Sequence, residues 1–206
     1  NIALIEEGVP VLGVVYVPVL DTLYCGMLNV ECEMPAWKAN ECAGKSVAEI
    51  MASAEPLSTS NLSHSTSQRA LRVVASKSHC NDETRQFIAD LEKDHGAAEL
   101  VSSGSSLKLC MVAEGSADIY PRIAPTMEWD TAAAHAVVAA AGGAVFEYNP
   151  AVPANAYHCG MLDVGSGKSD EQPTFHSSHP TQKLCPLRYN KENLLNPYFV
   201  VSGLHE

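Results

Sequence analysis

Positive charge is scarce in this chain. Thirteen Lys and Arg stand against 24 Asp and Glu, a formal net charge of −11 over 206 residues. A protein that coats nucleic acid needs a basic surface to displace counterions, so no nucleic-acid partner is expected. A small phosphorylated ligand stays compatible with the same composition, because a local cation or a bound metal can invert the field inside one pocket. No apolar run reaches the ~20 residues of a membrane-spanning helix, and no membrane partner is expected. A signal-peptide pattern is also missing. No CxxC pair occurs among the seven cysteines, which removes zinc-ribbon and thioredoxin readings. Their odd number and irregular spacing suit a reducing intracellular compartment, cytoplasmic by default. Cys110, in an apolar helix-like run, is expected to be a buried thiol. There is no internal repeat. The chain opens at Asn1 directly in a strand-like run, without Met, so the natural N-terminus is expected to lie upstream, together with any targeting signal.

What is present reads as an α/β protein long enough to bury a real core. Ile2 to Ile5 and Val11 to Val17 are β-branched runs around a short Gly/Pro turn, a β-hairpin. Leu23-Tyr24-Cys25 and Ala36-Trp37-Lys38 are expected as the next strands. Residues 40–68 are rich in Ser, Ala and Thr and are expected to form a variable loop, with a helical turn or two over Val47 to Ala54. Arg72 to Ala75 is a short buried strand. Asn81 is placed to cap a helix with Asp82 and Glu83 in its first turn and Phe87, Ile88 and Leu91 on one face. After a strand at Leu100-Val101, a helix is expected from Ser105 to Glu114, closed by Gly115. Ala117 to Tyr120 is a strand, Thr131 to Ala141 an Ala-rich helix, and Ala144 to Tyr148 and Tyr198 to Ser202 two more strands. Residues 149–192, rich in Pro, Ser, Gly and His and without periodicity, are expected to be a surface excursion dispensable for the fold.

Four segments can carry chemistry. Asp130, in Trp129-Asp130-Thr131-Ala132-Ala133-Ala134-His135, stands where a helix begins. It can be a simple N-cap or a hard oxygen ligand for Mg²⁺ beside a phosphate, and spacing does not choose between them. Gly104-Ser105-Ser106-Leu107-Lys108 offers a Gly and hydroxyls at a helix start, with Lys108 one turn in; this suits an anion or an ordinary capped helix with a solvated Lys. It is not a phosphate-binding loop of the Gly-x-x-x-x-Gly-Lys type. Ser76-Lys77-Ser78-His79 follows a buried strand, where Ser76 and His79 can reach a ligand or form a plain turn. Arg122, in Tyr120-Pro121-Arg122, can fork onto a phosphate or lie solvated. His158, His176 and His179 show no metal-ligand spacing.

Taken in order, these segments resemble one family. Trp129-Asp130 with its small-residue helix and Ala141-Gly142-Gly143 resembles the C-terminal signature of the inositol-monophosphatase superfamily. The succession Gly104-Ser105-Ser106-Leu107-Lys108, Val112-Ala113-Glu114-Gly115, Ala117 to Arg122 and Trp129-Asp130 is similar to the bacterial CysQ type of 3'(2'),5'-bisphosphate nucleotidase. So are Asn1 to Ile5, Leu12 to Val19 and Leu195 to Phe199. The resemblance implies a layered αβαβα sandwich. Residues 1–69 would supply the end of an antiparallel sheet region and a variable loop, and 70–206 an α/β domain with a long insertion at about 150–192. It implies Mg²⁺-dependent, lithium-sensitive removal of the 3'-phosphate from 3'-phosphoadenosine 5'-phosphate, in the service of sulfate assimilation. Ser76, His79, Gly104, Ser105, Lys108 and Arg122 would contact this small nucleotide and Asp130 would ligate the metal. The rival implications are an inositol or sugar-bisphosphate phosphatase and a non-catalytic nucleotide-binding remnant. A Glu is usual in inositol-specific enzymes where Tyr120-Pro121-Arg122 stands.

The family's Glu-Glu/Asp and Asp-Pro-Leu-Asp-Gly-Thr segments, which complete its metal cage, occur nowhere in this sequence. Paired-metal catalysis needs several carboxylates, and Asp130 is one. The 206-residue chain, purified alone, is therefore expected to release phosphate from the bisphosphate nucleotide far more slowly than a typical enzyme's ~10 s⁻¹. A Mg²⁺-dependent rate near that value in a phosphate-release assay would show that the metal site was sought in the wrong place.

Overall fold

The computed structural model describes residues 1–29, 31–59, 69–75, 80–104, 106–159 and 184–205. The first half is an antiparallel meander: β1 (Ile2–Glu6), β2 (Val9–Val17), β3 (Thr22–Met27), β4 (Ala36–Asn40) and β5 (Glu55–Pro56), in that spatial order. β1 and β2 are joined by Glu7 and Gly8, both at positive φ, the two-residue turn whose twist suits a hairpin. The helical turn expected over Val47 to Ala54 is present, and the rest of the segment read as a loop contributes more besides. Ser46 and Glu49 form a capping box for α1 (Val47–Ala52), β5 pairs with β4, and Thr59 is buried with its N–H on the Ala141 carbonyl at 2.8 Å. These anchors come singly, so no periodicity announced them. Residues 60–68 lie outside the described residues.

The second sheet has the order β7-β6-β8-β10-β9. β6 (Arg72–Val74) runs parallel to β7 (Glu99–Val101) and β8 (Ile119–Arg122), while β10 (Phe199–Ser202) is antiparallel to β8 and β9 (Ala144–Glu147). α2 (Asp82–His95) begins as expected. The Asn81 side chain accepts from the Thr84 N–H, and Phe87, Ile88 and Leu91 are buried against this sheet. α3 (Leu107–Ala113) starts two residues later than expected. It ends in a Schellman motif, with Gly115 at φ 75° and the Ser116 N–H on the Met111 carbonyl at 2.9 Å. α4 (Glu128–Ala140) starts three residues earlier than expected.

α4 lies between the two sheets and is buried around its circumference from Thr131 to Val138, as a central helix must be. Val15, Tyr24 and Ala36 of the first sheet meet α3 and α4 on one side, and Val145, Phe199 and Val201 of the second sheet meet them on the other. Beyond the second sheet, α2 closes a second core; α1 sits on the outer face of the first, where Ile50 packs with Cys25 and Trp37. The order of layers is α, β, α, β, α, the sandwich expected. Among the described residues no helix is long and apolar enough to cross a membrane. All seven cysteines are free thiols, and burial pushes Cys110 up to about 12.

One buried carboxylate binds the second half together. Asp118, with no exposed surface, accepts from Arg69 at 2.7 Å on each oxygen, from Arg72 Nη2 at 3.0 Å and from the Arg72 N–H at 2.7 Å. Burial alone would raise its pKa, but these donors hold the carboxyl below the ordinary range. The expectation of a dispensable excursion over 149–192 fails at both ends. Val152, Ala154, Tyr157 and Cys159 are buried, as are Leu184, Leu187 and Tyr189. None of them lies in an α-helix or a strand long enough to give it a period. Residues 160–183 lie outside the described residues.

The first sheet meets α4 backbone to backbone. Gly13 and Gly26 are cross-strand partners, and a Cβ on them would stand 2.0 Å from the Ala133 carbonyl oxygen and 2.4 Å from the Val137 Cα. Neither obstacle is a flexible side chain. Gly26→Ala or Gly13→Ala is therefore expected to lower stability by about 1–3 kcal/mol or more, read as a fall in the denaturant midpoint. A midpoint unchanged within ~0.5 kcal/mol would mean that the helix can move off the sheet at little cost.

Candidate functional site

Three of the segments singled out in the sequence converge on one corner, and backbone geometry explains why. β6 and β8 run parallel and end side by side, so the chain that leaves each of them starts from the same edge of the sheet. This is the edge where ligands collect in α/β sheets. Arg122 is the last residue of β8. The helix starts of α3 and α4 are tied together here: Ser106 Oγ donates to the Asp130 carbonyl at 3.1 Å and accepts from Asn1 Nδ2 at 2.8 Å. The Asn1 contact spans more than half the chain, and nothing in the sequence foreshadowed it.

Lys108 is the second residue of α3, within its first turn, where a cation opposes the helix dipole. Gly104, exposed, lies outside the helix, so the two do not share a helical face as the expected longer helix would have arranged. The Lys108 stem is half-buried, and its Nζ stands 5.6 Å from the centre of the Tyr120 ring. Burial, then the nearby Arg122 charge, holds its pKa below the ordinary lysine value. Arg122 donates from Nη2 to the Pro125 carbonyl at 3.1 Å, while its buried Nε has no partner among the described residues. No carboxylate among the described residues pairs with either cation. Lys108 thus stands over the Tyr120 ring with the Arg122 charge nearby, and Arg122 also bonds the Tyr120 side chain. Such an arrangement is stabilised by an anion between them.

Asp130 is exposed at the third position of α4. It is not the N-cap; Met127 occupies that place, and Asp130 Oδ2 accepts from the Met127 N–H at 2.9 Å. This leaves the other oxygen free at a helix start. Trp129 beside it is 59% exposed, unusual for so large an apolar surface. As a hard, ionisable oxygen, Asp130 fits one position in the shell of Mg²⁺ or a similar ion. Among the described residues no three ligating side chains gather anywhere, so this carboxylate is one ligand and not a complete site. Ser76, His79 and Ser105, and with them His176 and His179, lie outside the described residues.

The model of the inositol monophosphatase family matches residues 1–180. The chain belongs to this family. Its relatives include the 3'(2'),5'-bisphosphate nucleotidase CysQ of Salmonella typhimurium, 43% identical over 148 residues, which cover 72% of this chain and 50% of the relative. The CysQ of Escherichia coli K12 is 41% identical over the same share. The crystal structure of CysQ from Bacteroides thetaiotaomicron superposes with a TM-score of 0.66 at 39% identity, covering 97% of this chain and 60% of that one. A staphylococcal IMPase-II shares the fold at 16% identity. The chain spans about half the length of the curated relatives it matches. The family is generally one of metal-dependent phosphatases.

The electrostatic coupling of the two cations can be tested without substrate. Each disfavours the charged form of the other, so removing Arg122 should raise the pKa of Lys108. Acylation of Lys108 followed by mass spectrometry across pH is expected to give a lower midpoint for Lys108 than for exposed Lys93, and an upward shift of the Lys108 midpoint in Arg122→Ala. A midpoint that stays put in the variant would separate the two cations.

Proposed function

We propose that the whole protein is a Mg²⁺-dependent phosphatase that removes the 3'-phosphate of 3'-phosphoadenosine 5'-phosphate, giving AMP and phosphate. The observation that carries the reading is the pair Lys108 and Arg122 around Tyr120, two cations without carboxylates among the described residues. Its support is the name shared by the CysQ relatives. A substrate with two phosphates needs a place for the one that stays. The Lys108 ammonium and the part-exposed Arg122 guanidinium offer that place. Ser76, His79, Gly104 and Ser105 would contact the rest of the nucleotide, as the family resemblance implies. Asp130 would donate one oxygen to the ion beside the scissile phosphate, from a helix start whose dipole favours negative charge. A bound Mg²⁺ supplies a Lewis acid for the phosphoryl oxygens and a lowered pKa for a water. In the net reaction the water oxygen bonds to phosphorus as the bond to the ribose 3'-oxygen breaks, and that oxygen takes a proton.

Steady-state kinetics of two variants of the whole protein test this. Asp130→Asn keeps the size and removes the charge, so kcat should fall and the Mg²⁺ requirement rise. Lys108→Ala removes a charge-assisted contact made before and during the chemical step, so KM should rise by an amount worth ~1.5–3 kcal/mol with kcat little changed. Inositol monophosphate has no second phosphate, and turnover of it should not respond to Lys108→Ala. Equal losses on both substrates would replace the nucleotide reading with a general phosphatase of the same family.

A further inference from the structure

The start of α4 is held in an unusual way. Met127, its N-cap, has no oxygen in its side chain to accept from the helix, so the first turn is satisfied from outside. The partner is the irregular segment Tyr189–Tyr198 that leads into β10. The Glu128 N–H donates to the Leu194 carbonyl at 2.9 Å, and Met127 and Leu195 form a lone β-bridge. The Glu128 carboxylate, buried, accepts from the Asn190 N–H at 2.8 Å and from the Lys191 ammonium. Asn196 completes the grip. Only 3% of its surface is exposed. Its N–H donates to the Thr126 carbonyl at 2.9 Å, and its Nδ2 donates to the Met127 carbonyl at 2.9 Å and to Thr131 Oγ1 at 3.0 Å. Thr131 Oγ1 also accepts from the Tyr189 hydroxyl at 3.2 Å.

Met127, Glu128 and Thr131 around Asp130 are thus fixed from one side, while the Asp130 side chain points free with a single bond to the Met127 N–H. The Met127 carbonyl that Asn196 grips is the same one that accepts the Asp130 N–H at 3.0 Å. Since that carbonyl can only accept, the Asn196 amide must present Nδ2 to it, and the side chain acts as a donor. A carboxylate used in chemistry must be held within about half an ångström of its working place.

We propose that Asn196 is a positioning residue for Asp130, acting through the first turn of α4 with Glu128 and Lys191 as its auxiliaries. The proposal rests on the functional reading of Asp130 given above. In the whole protein, Asn196→Ala and Asn196→Asp, which keeps the shape and loses the donors, are expected to lower kcat roughly 10–100-fold with KM nearly unchanged. Lys191→Ala, at a part-exposed side chain that the fold tolerates, should lower kcat in the same direction by less. Leu91→Ala, in the core between α2 and the second sheet, is the control: it should lower the melting temperature and leave kcat alone. Hydrogen exchange gives a readout independent of turnover. The amides of residues 128–132 should exchange faster in the Asn196 and Lys191 variants, while those of α2 stay unchanged. If Asp130→Asn retains kcat, the reading of Asp130 falls, and exchange alone decides whether Asn196 holds the turn. If Asp130→Asn loses kcat while the folded Asn196 and Lys191 variants keep theirs, or exchange at 128–132 is unaltered, the positioning role is overturned.

Discussion

The close approach of α4 to the first sheet is the constraint on which the rest depends. Two glycines facing each other across β2 and β3 let a helix backbone lie directly on a sheet backbone. The Ala-rich side of the helix continues this economy of volume. A helix at that distance can be packed on its other side by the second sheet, and it becomes the shared wall of two cores. Its N-terminus then emerges at a fixed height relative to both sheets. Asp130 stands at that end, so the position of a charged side chain at the surface is set by missing methyl groups in the interior.

Charge is used in two ways, and the contrast separates structure from function. Asp118 is wholly buried and fully met by Arg69 and Arg72; its carboxylate joins the loop before β6 to the start of β8. Glu128 is similarly met by Lys191 and two backbone N–H groups. Such groups are tolerated because both oxygens of each carboxylate have donors. Lys108 and Arg122 differ. Lys108 stands over the Tyr120 ring in the helix turn least suited to a cation, and the nearby Arg122 charge disfavours its charged form.

The segment from Tyr189 to Tyr198 shows how an irregular stretch can be structural. It has no helix or strand of its own, and its polar residues resemble those of a surface loop. Yet Tyr189 bonds to both His135 and Thr131, and burial drives His135 down to about 3, so the ring is neutral and the network holds without charge. The backbone of this segment takes up the donors of a helix that lacks a capping side chain.

Local chemistry was legible in the sequence alone. The hairpin around Gly8, the Asn81 cap, the buried face of α2 and the Gly115 terminus each depend on neighbours a few residues apart, and all were found where the pattern placed them. The family was legible too, because its signatures are contiguous. The starts of α3 and α4 were not. The sequence from Met127 to Thr131 has no strong cap, and the choice of Met127 over Asp130 is made by Leu194 and Asn196, more than 60 residues away. The same holds for the ends of the 149–192 excursion, whose buried residues follow no period, and for the meeting of Lys108 with Arg122. Periodicity and capping are properties of a short stretch of chain, and the sequence determines them by itself. Which unpaired groups end up facing each other depends on how the two sheets close over α4, and only the tertiary structure decides that.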